Sequence, residues 1–326
     1  MRGFDVQEHQ PLVDKSRNVQ GMLRGKRLRH APWAYPWFFA LEFAKFASLL
    51  PGALNSRSAD ITWLERCLYD GLPSFEWMLS RPLVLDVDDA IWRSKPFGAA
   101  QMAYTAKRAT RVIAGNTHIA NWFEKYNSNI DIIPTAVDTE RFRPSTEFDD
   151  RFFTIGWTGT SGNFPYLYEI RDDLQRFLSQ IKTARLLVVA DQYPHQIGLP
   201  EDRVVFVEWS EASEALAVQK MNVGLMPLPD NDWTRGKCSF KMIQYMACGI
   251  PSVVSPVGMN VEVLSRGAVG LAASRQGDWY EALMQIYENR AASGQMGLKA
   301  REVAEYHYSV EVVASQIAAT FHAALT

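Results

Sequence analysis

The stretch from Asp230 to Asn260, DNDWTRGKCSFKMIQYMACGIPSVVSPVGMN, constrains this chain more than any other. It predicts a loop ending in Arg235-Gly236-Lys237, a helix from about Ser239 to Cys248, a stop at Gly249 and a strand over Pro251–Ser255. Ser239 carries a hydroxyl able to accept an unpaired N–H of the first turn. Gly249 suits the left-handed residue that ends a helix, and Pro251 cannot continue one. At helical spacing Lys241, Gln244, Tyr245 and Cys248 share a face, with Phe240, Ile243, Met246 and Ala247 on the other sides. Lys237 before the helix and Lys241 in its first turn make the helix start an anion site. The free N–H groups and the helix dipole add to two ammonium charges, and phosphate is the natural ligand. Two solvated lysines on an exposed helix would read alike in isolation. One turn deeper, Gln244 offers the donor and the acceptor that a ribose hydroxyl pair requires.

The surrounding chain sets the frame for this stretch. At 326 residues, length alone allows about two ordinary domains. Hydrophobic residues make up 47%, so a sizeable core is assured. A net charge of −2 argues against general nucleic-acid binding, which needs a basic surface. Cys67, Cys238 and Cys248 are scattered and odd in number, which excludes a disulfide framework and fits a reducing, cytoplasmic compartment. Met1–Gln10 has no signal-peptide pattern, and no apolar run reads as long enough to span a bilayer. A basic cluster (Arg24, Lys26, Arg27, Arg29, His30) runs into Trp33, Tyr35, Trp37, Phe38 and Phe39. Cations beside Trp and Phe suit a peripheral contact with a membrane surface, and an ordinary amphipathic helix over Trp37–Leu50 is the alternative.

From Ile61 onward short apolar segments alternate with helical ones. Strands are expected at Ile61–Glu65, Leu83–Val87, Arg111–Ala114 and Ile130–Ile133, with helices at Phe97–Arg108 and Thr117–Tyr126. After the polar run Ser145–Asp150 the pattern restarts with a strand at Phe153–Trp157. A helix follows at Tyr166–Ile181, then strands at Leu186–Ala190, Val204–Val207 and Val223–Met226, and helices at Trp279–Tyr287 and Glu302–Ala324. The alternation predicts α/β units on mostly parallel sheets. In such sheets ligands sit at the carboxyl ends of strands, where Asp88, Asp89 and Asn116 fall. Asp86-Val87-Asp88-Asp89 also invites a Mg²⁺ reading, with helix capping as the alternative; no metal is expected, because the lysines of the second half already serve phosphate. The loop Thr158-Gly159-Thr160-Ser161-Gly162-Asn163 after the restarting strand is small enough for its amides to approach phosphate.

Lys241, Gln244, Tyr245-Met246-Ala247-Cys248-Gly249-Ile250-Pro251 and Val253-Val254 together resemble the nucleotide-sugar segment of family-4 (group 1) retaining glycosyltransferases of the GT-B fold. There a lysine is followed three residues on by a glutamate, then Tyr/Ala-Met-Ala-x-Gly-x-Pro and a valine-rich strand. Gln244 replaces the glutamate that holds the donor ribose, and an uncharged amide should hold a hydroxyl less strongly. Ile133-Pro134-Thr135-Ala136-Val137-Asp138, continuing to Phe142 and Pro144, is similar to the segment at which family members cross between domains.

The resemblance implies a GT-B architecture, two Rossmann-like domains with parallel sheets facing across a cleft. The expected parts are an acceptor-side domain over residues 1–148, a nucleotide-sugar domain over 149–308, and a final helix, 309–326, packing back across both. It implies a nucleotide-diphospho-sugar donor, UDP- or GDP-linked, no further cofactor, and a glycan or lipid-linked acceptor in cell-envelope polysaccharide synthesis. Gly159, Thr160, Arg235, Gly236, Lys237, Lys241, Gln244 and Glu262 are the implied donor-binding residues, and Asp88, Asp89 and Lys241 the catalytic ones. The chain departs from the family in lacking the Arg and Lys that usually follow the small-residue loop, and an apolar first strand within Met1–Asp60. These departures favour, as an alternative, a non-catalytic nucleotide-sugar-binding paralogue.

Overall fold

The computed structural model describes residue 8 and residues 35–145 and 151–326. The basic cluster Arg24–His30, Trp33 and all of the polar run but Ser145 lie outside the described residues. Two parallel sheets organise the chain. The first comprises β1 (Thr62–Glu65), β2 (Leu83–Val87), β3 (Arg111–Ala114) and β4 (Ile130–Ile132), paired in chain order. Helices α1 (Tyr35–Asn55), α2 (Gly98–Arg108) and α3 (Thr117–Phe123) belong to this half. Apolar runs such as Leu83-Val84-Leu85 form strands buried on both faces, as parallel sheets require.

The second sheet has the order β10-β9-β8-β5-β6-β7, from β5 (Phe153–Thr158), β6 (Ala184–Ala190), β7 (Val204–Glu208), β8 (Val223–Met226), β9 (Ser252–Val254) and β10 (Gly270–Ala272). Its helices are α4 (Phe164–Tyr168), α5 (Arg171–Gln180), α6 (Glu211–Val218), α7 (Asp232–Arg235), α8 (Phe240–Ala247), α9 (Met259–Leu264), α10 (Asp278–Glu288) and α11 (Arg290–Tyr308), followed by α12 (Val310–Leu325). The strand order reverses between β5 and β8, which opens a crevice at their carboxyl ends. The loop 158–163 and the start of α8 both reach that crevice.

Several elements differ from the sequence expectation. The helix expected over Tyr166–Ile181 is two helices, α4 and α5. The one expected over Glu302–Ala324 breaks at Ser309, whose hydroxyl accepts from the Val312 amide and starts α12. Helical periodicity continues through both breaks, so the pattern alone hides them. At Ser309 the chain crosses back beside its outward crossing, because the Val137 amide donates to the Tyr308 carbonyl at 2.8 Å. Beyond it α12 lies on the first sheet, where Val313, Phe321 and Ala324 cover Val84, Ile113 and Ile133. Arg301 staples the crossing: its guanidinium donates to the carbonyls of Thr139 (3.0 Å), Phe142 (2.7 Å) and Ala247 (2.5 Å).

Residues 35–58, against expectation, form a helical segment long and apolar enough to cross a membrane by length and composition. Two of its three charges, Glu42 and Lys45, pair with each other at 2.9 Å, and the third, Arg57, lies at its far end. Pairing leaves little net charge to mark the run, and its mean hydropathy of 1.2 sits low for such a span.

Candidate active site

Helix α8 is buried along nearly its whole length, and its start meets the first half of the chain. Ser239 does not cap it. Ser239 is left-handed, with φ 53°, and its hydroxyl donates to Asn260 Oδ1 at 2.6 Å. Asn260 in turn donates to the Ser255 carbonyl (2.9 Å), and the Ser255 hydroxyl accepts from the Leu228 amide (2.9 Å). This buried polar chain fixes the helix start while leaving its first amides uncapped by Ser239, a geometry that favours an anion. At the other end Gly249 adopts φ 69°, with its amide bonded to the Met246 carbonyl and that of Ile250 to the Tyr245 carbonyl, the double closure for which a left-handed glycine is suited.

Lys241 runs from the first turn of α8 over the small-residue loop. A Cβ at Gly159 would come within 2.8 Å of Lys241 Cε and 2.7 Å of the Trp157 ring, so the lysine can lie there only over a glycine. Its ammonium stands 5.9 Å from the Trp157 ring centroid. Burial lowers its pKa to about 8, with Lys237 adding repulsion and Asp89 and Glu214 pulling the other way. The charge of Lys237 is thus felt at Lys241, and both add positive potential near the helix start. The Lys237 ammonium also lies 5.4 Å from the Trp233 ring centroid.

The opposite wall is the end of β2. Asp88 accepts two hydrogen bonds from Arg66, at 2.7 and 2.9 Å, and Asp89 accepts a third at 3.2 Å. Burial and the Asp88 charge raise the pKa of Asp89, whereas Lys237, Arg66 and Lys241 lower it, which places Asp89 within the field of both lysines across the crevice. Asp86 accepts from the Trp63 indole at 3.2 Å and is pushed up to about 7, chiefly by burial. Arg66, which sequence reasoning passed over, thus pairs with two of the three carboxylates that invited a metal reading. Among the described residues no group of three His, Cys, Asp or Glu is arranged to hold a metal. The walls touch directly: Cys238 Sγ donates to the Asp88 carbonyl (2.9 Å), and Asn116 Nδ2 donates to the Lys237 carbonyl (3.1 Å). A Cβ at Gly236 would lie 2.6 Å from that of Ala90.

Other candidate residues are differently placed. The Arg235 guanidinium is taken by Asp230, at 2.6 and 3.0 Å, so it is held by its own loop. Gln244 is buried and donates to Glu214 Oε1 at 3.0 Å, so its amide N–H is already engaged by a carboxylate that the sequence reading did not single out. In the small-residue loop the Gly159 amide is bonded to the Val189 carbonyl (3.0 Å) and that of Ser161 to Asp191 (2.6 Å). Thr160 Oγ1 accepts from Asn163 at 2.9 Å. The loop thus contributes close approach at Gly159, while two of its amides are not open to phosphate. Glu262, in the first turn of α9, lies near the buried Tyr308 hydroxyl, which accepts from Arg266 at 2.9 Å. The structure brings together Gly159, Lys241, Lys237 and Asp89, and turns Arg235 toward Asp230. Helical position could have exposed Glu214, but nothing in its local sequence marks it.

Residues 155–289 match the family model described as glycosyl transferases group 1. This part of the chain is similar to the group 1 glycosyltransferases. A search of the curated proteins finds no match. Among solved structures the chain is similar to sucrose-phosphate synthase from Thermosynechococcus elongatus, with TM-score 0.63 and 15% identity over 85% of this chain and 78% of that one. Anabaena HepE in complex with UDP and glucose superposes with TM-score 0.66 and 16% identity over 85% and 81% of the two chains. A UDP-forming trehalose-phosphate synthase from Burkholderia xenovorans gives TM-score 0.62 and 12% identity over 87% and 80%. The fold is GT-B, with two parallel α/β sheets facing a shared crevice.

Proposed function

We propose that the chain is a retaining, metal-independent glycosyltransferase. It moves a sugar from a UDP- or GDP-linked donor to a hydroxyl of a glycan or lipid-linked acceptor in cell-envelope polysaccharide synthesis, at the cytoplasmic face of a membrane. The observation that carries this reading is Lys241 lying over Gly159 at the uncapped start of α8, within the electrostatic reach of Lys237 and Asp89. Two ammonium charges and a helix N-terminus stabilise the diphosphate charge that grows as the glycosidic bond breaks. Asp88, held by Arg66, orients the incoming hydroxyl, since each of its oxygens retains acceptor capacity. Glu214, bonded to Gln244, supplies the charged acceptor for the donor ribose that Gln244 lacks.

A thermal-shift series with nucleotide diphosphates, with and without Mg²⁺, tests the reading. A bound nucleotide at about 100 times its dissociation constant should stabilise the wild type by about 2.7 kcal/mol. Lys241→Ala should abolish the shift while leaving the unliganded melting point near that of wild type. Release of nucleotide from its sugar, followed by mass spectrometry, then separates an enzyme from a binding paralogue. Binding without any turnover, whatever acceptor is supplied, favours the paralogue, whose sequence mark is Gln244.

A further inference from the structure

Helix α1 is amphipathic with its polarity reversed. Its charged residues, Glu42 and Lys45, are turned toward the domain, where Glu42 accepts from the Tyr69 hydroxyl and Phe46 packs on Phe75 with ring centroids 4.8 Å apart. Leu49 and Ala53 continue that inner face into the core. The outer face, from Pro36 through Ala40, Phe43, Ala44, Ala47 and Pro51 to Leu54, carries no charge, and Trp37 and Phe43 are 64% and 73% exposed. Solvent-facing helices ordinarily show the opposite pattern, so this face is suited to an apolar medium.

We infer that the outer face of α1 docks the protein on an anionic lipid bilayer, lying in the interface rather than crossing it. The inference deepens the reading of a lipid-linked acceptor and rests on it for the choice of a membrane. Charge identifies the occupant. Residues 1–34 hold seven Lys or Arg against three Asp or Glu, with four of the seven at Arg24, Lys26, Arg27 and Arg29, directly before the helix. Beyond its far end stand the exposed Arg57 and Arg81, with the half-exposed Arg108 donating to the carbonyl of the exposed Trp77 at 3.1 Å. Cations that precede and follow an apolar, Trp-bearing helix in sequence complement acidic headgroups around acyl chains. A spanning helix would carry the Glu42–Lys45 pair, and the contacts it makes with Tyr69, into the hydrocarbon.

The test uses the full chain and phosphatidylcholine vesicles with and without phosphatidylglycerol. Sedimentation should show binding to the anionic vesicles only, reversed by high salt. Trp37→Ser/Phe43→Ser should weaken that binding at least about tenfold, because two buried aromatic side chains are lost. The melting point and the nucleotide-induced shift of this double variant should stay at wild-type values, so vesicle binding can fail while the donor site holds, and the reverse. Equal binding by the double variant, no binding to either vesicle, or bound protein that resists both salt and alkaline carbonate would overturn the inference. So would a dimer, seen by light scattering, that the double variant dissociates.

Discussion

Lys241 shows how one side chain is tuned by its surroundings. Its pKa of about 8 arises from burial first and the neighbouring Lys237 second. An ordinary lysine stays charged well above that value. Nucleotide affinity should therefore decline as pH rises through about 8, where the ammonium loses its proton, and level off once it is neutral. The bound phosphate should draw the pKa back up, so binding near pH 8 takes up protons; calorimetry in buffers of different ionisation enthalpy measures that uptake. A pH-independent affinity between 7 and 9 would remove Lys241 from the phosphate site. The same burial acts on apo stability with a defined sign. The folded pKa lies below the unfolded one, so the folded state releases its proton first and stability rises with pH between about 8 and the ordinary lysine value.

At the scale of elements, α8 is anchored by Tyr245. Its hydroxyl accepts from the Thr158 amide and donates to the Leu225 carbonyl, both at 3.2 Å, tying the ends of β5 and β8 to the helix between them. The ring lies against Gly224, where a Cβ would fall 2.2 Å from it. Tyr245→Phe keeps the packing but leaves a buried amide and a buried carbonyl each short of a partner, which costs about 1–3 kcal/mol. Because Thr158 precedes Gly159, nucleotide affinity should fall together with stability. Denaturant unfolding and nucleotide titration of the same variant check this, and a loss of stability with unchanged affinity would show that the loop keeps its position without the hydroxyl. Much of this element was legible in sequence. Gly249 and Pro251 mark the end of α8, and the lysines mark its start. Ser239 was misread, because the hydroxyl that suits a cap is drawn to Asn260, 21 residues away. No local pattern encodes that competition.

Across the whole molecule the two halves are clasped at Asp232, on α7 of the second half. Its carboxylate accepts from Arg93 at 3.0 Å and pairs with His118 at 3.1 Å, both from the first half. Exposed ion pairs contribute little to global stability, about 1 kcal/mol or less. A bias of that size still shifts a domain-closure equilibrium several-fold. Asp232→Ala should thus leave the melting point almost unchanged while widening the particle in solution scattering and lowering turnover. Identical scattering profiles for variant and wild type would show that the clasp does not hold the cleft.

The sequence by itself determined the α/β class, the strands β2, β3 and β8 to the residue, and the stretch 230–260 as the likeness to a nucleotide-sugar segment. Each is a local matter: apolar runs, a helical period, a glycine and a proline at a helix end. Tertiary structure alone decided which polar groups meet. It set Arg66 on Asp88 across 22 residues and Glu214 on Gln244 across 30, turned Arg235 back on Asp230, and broke the last long helix at Ser309 so that α12 covers the first sheet. It also turned the charges of α1 inward. The reason is physical: local backbone preference and periodicity act over a few residues, whereas the partner of a buried charge or hydroxyl is settled by which distant elements the fold packs beside it.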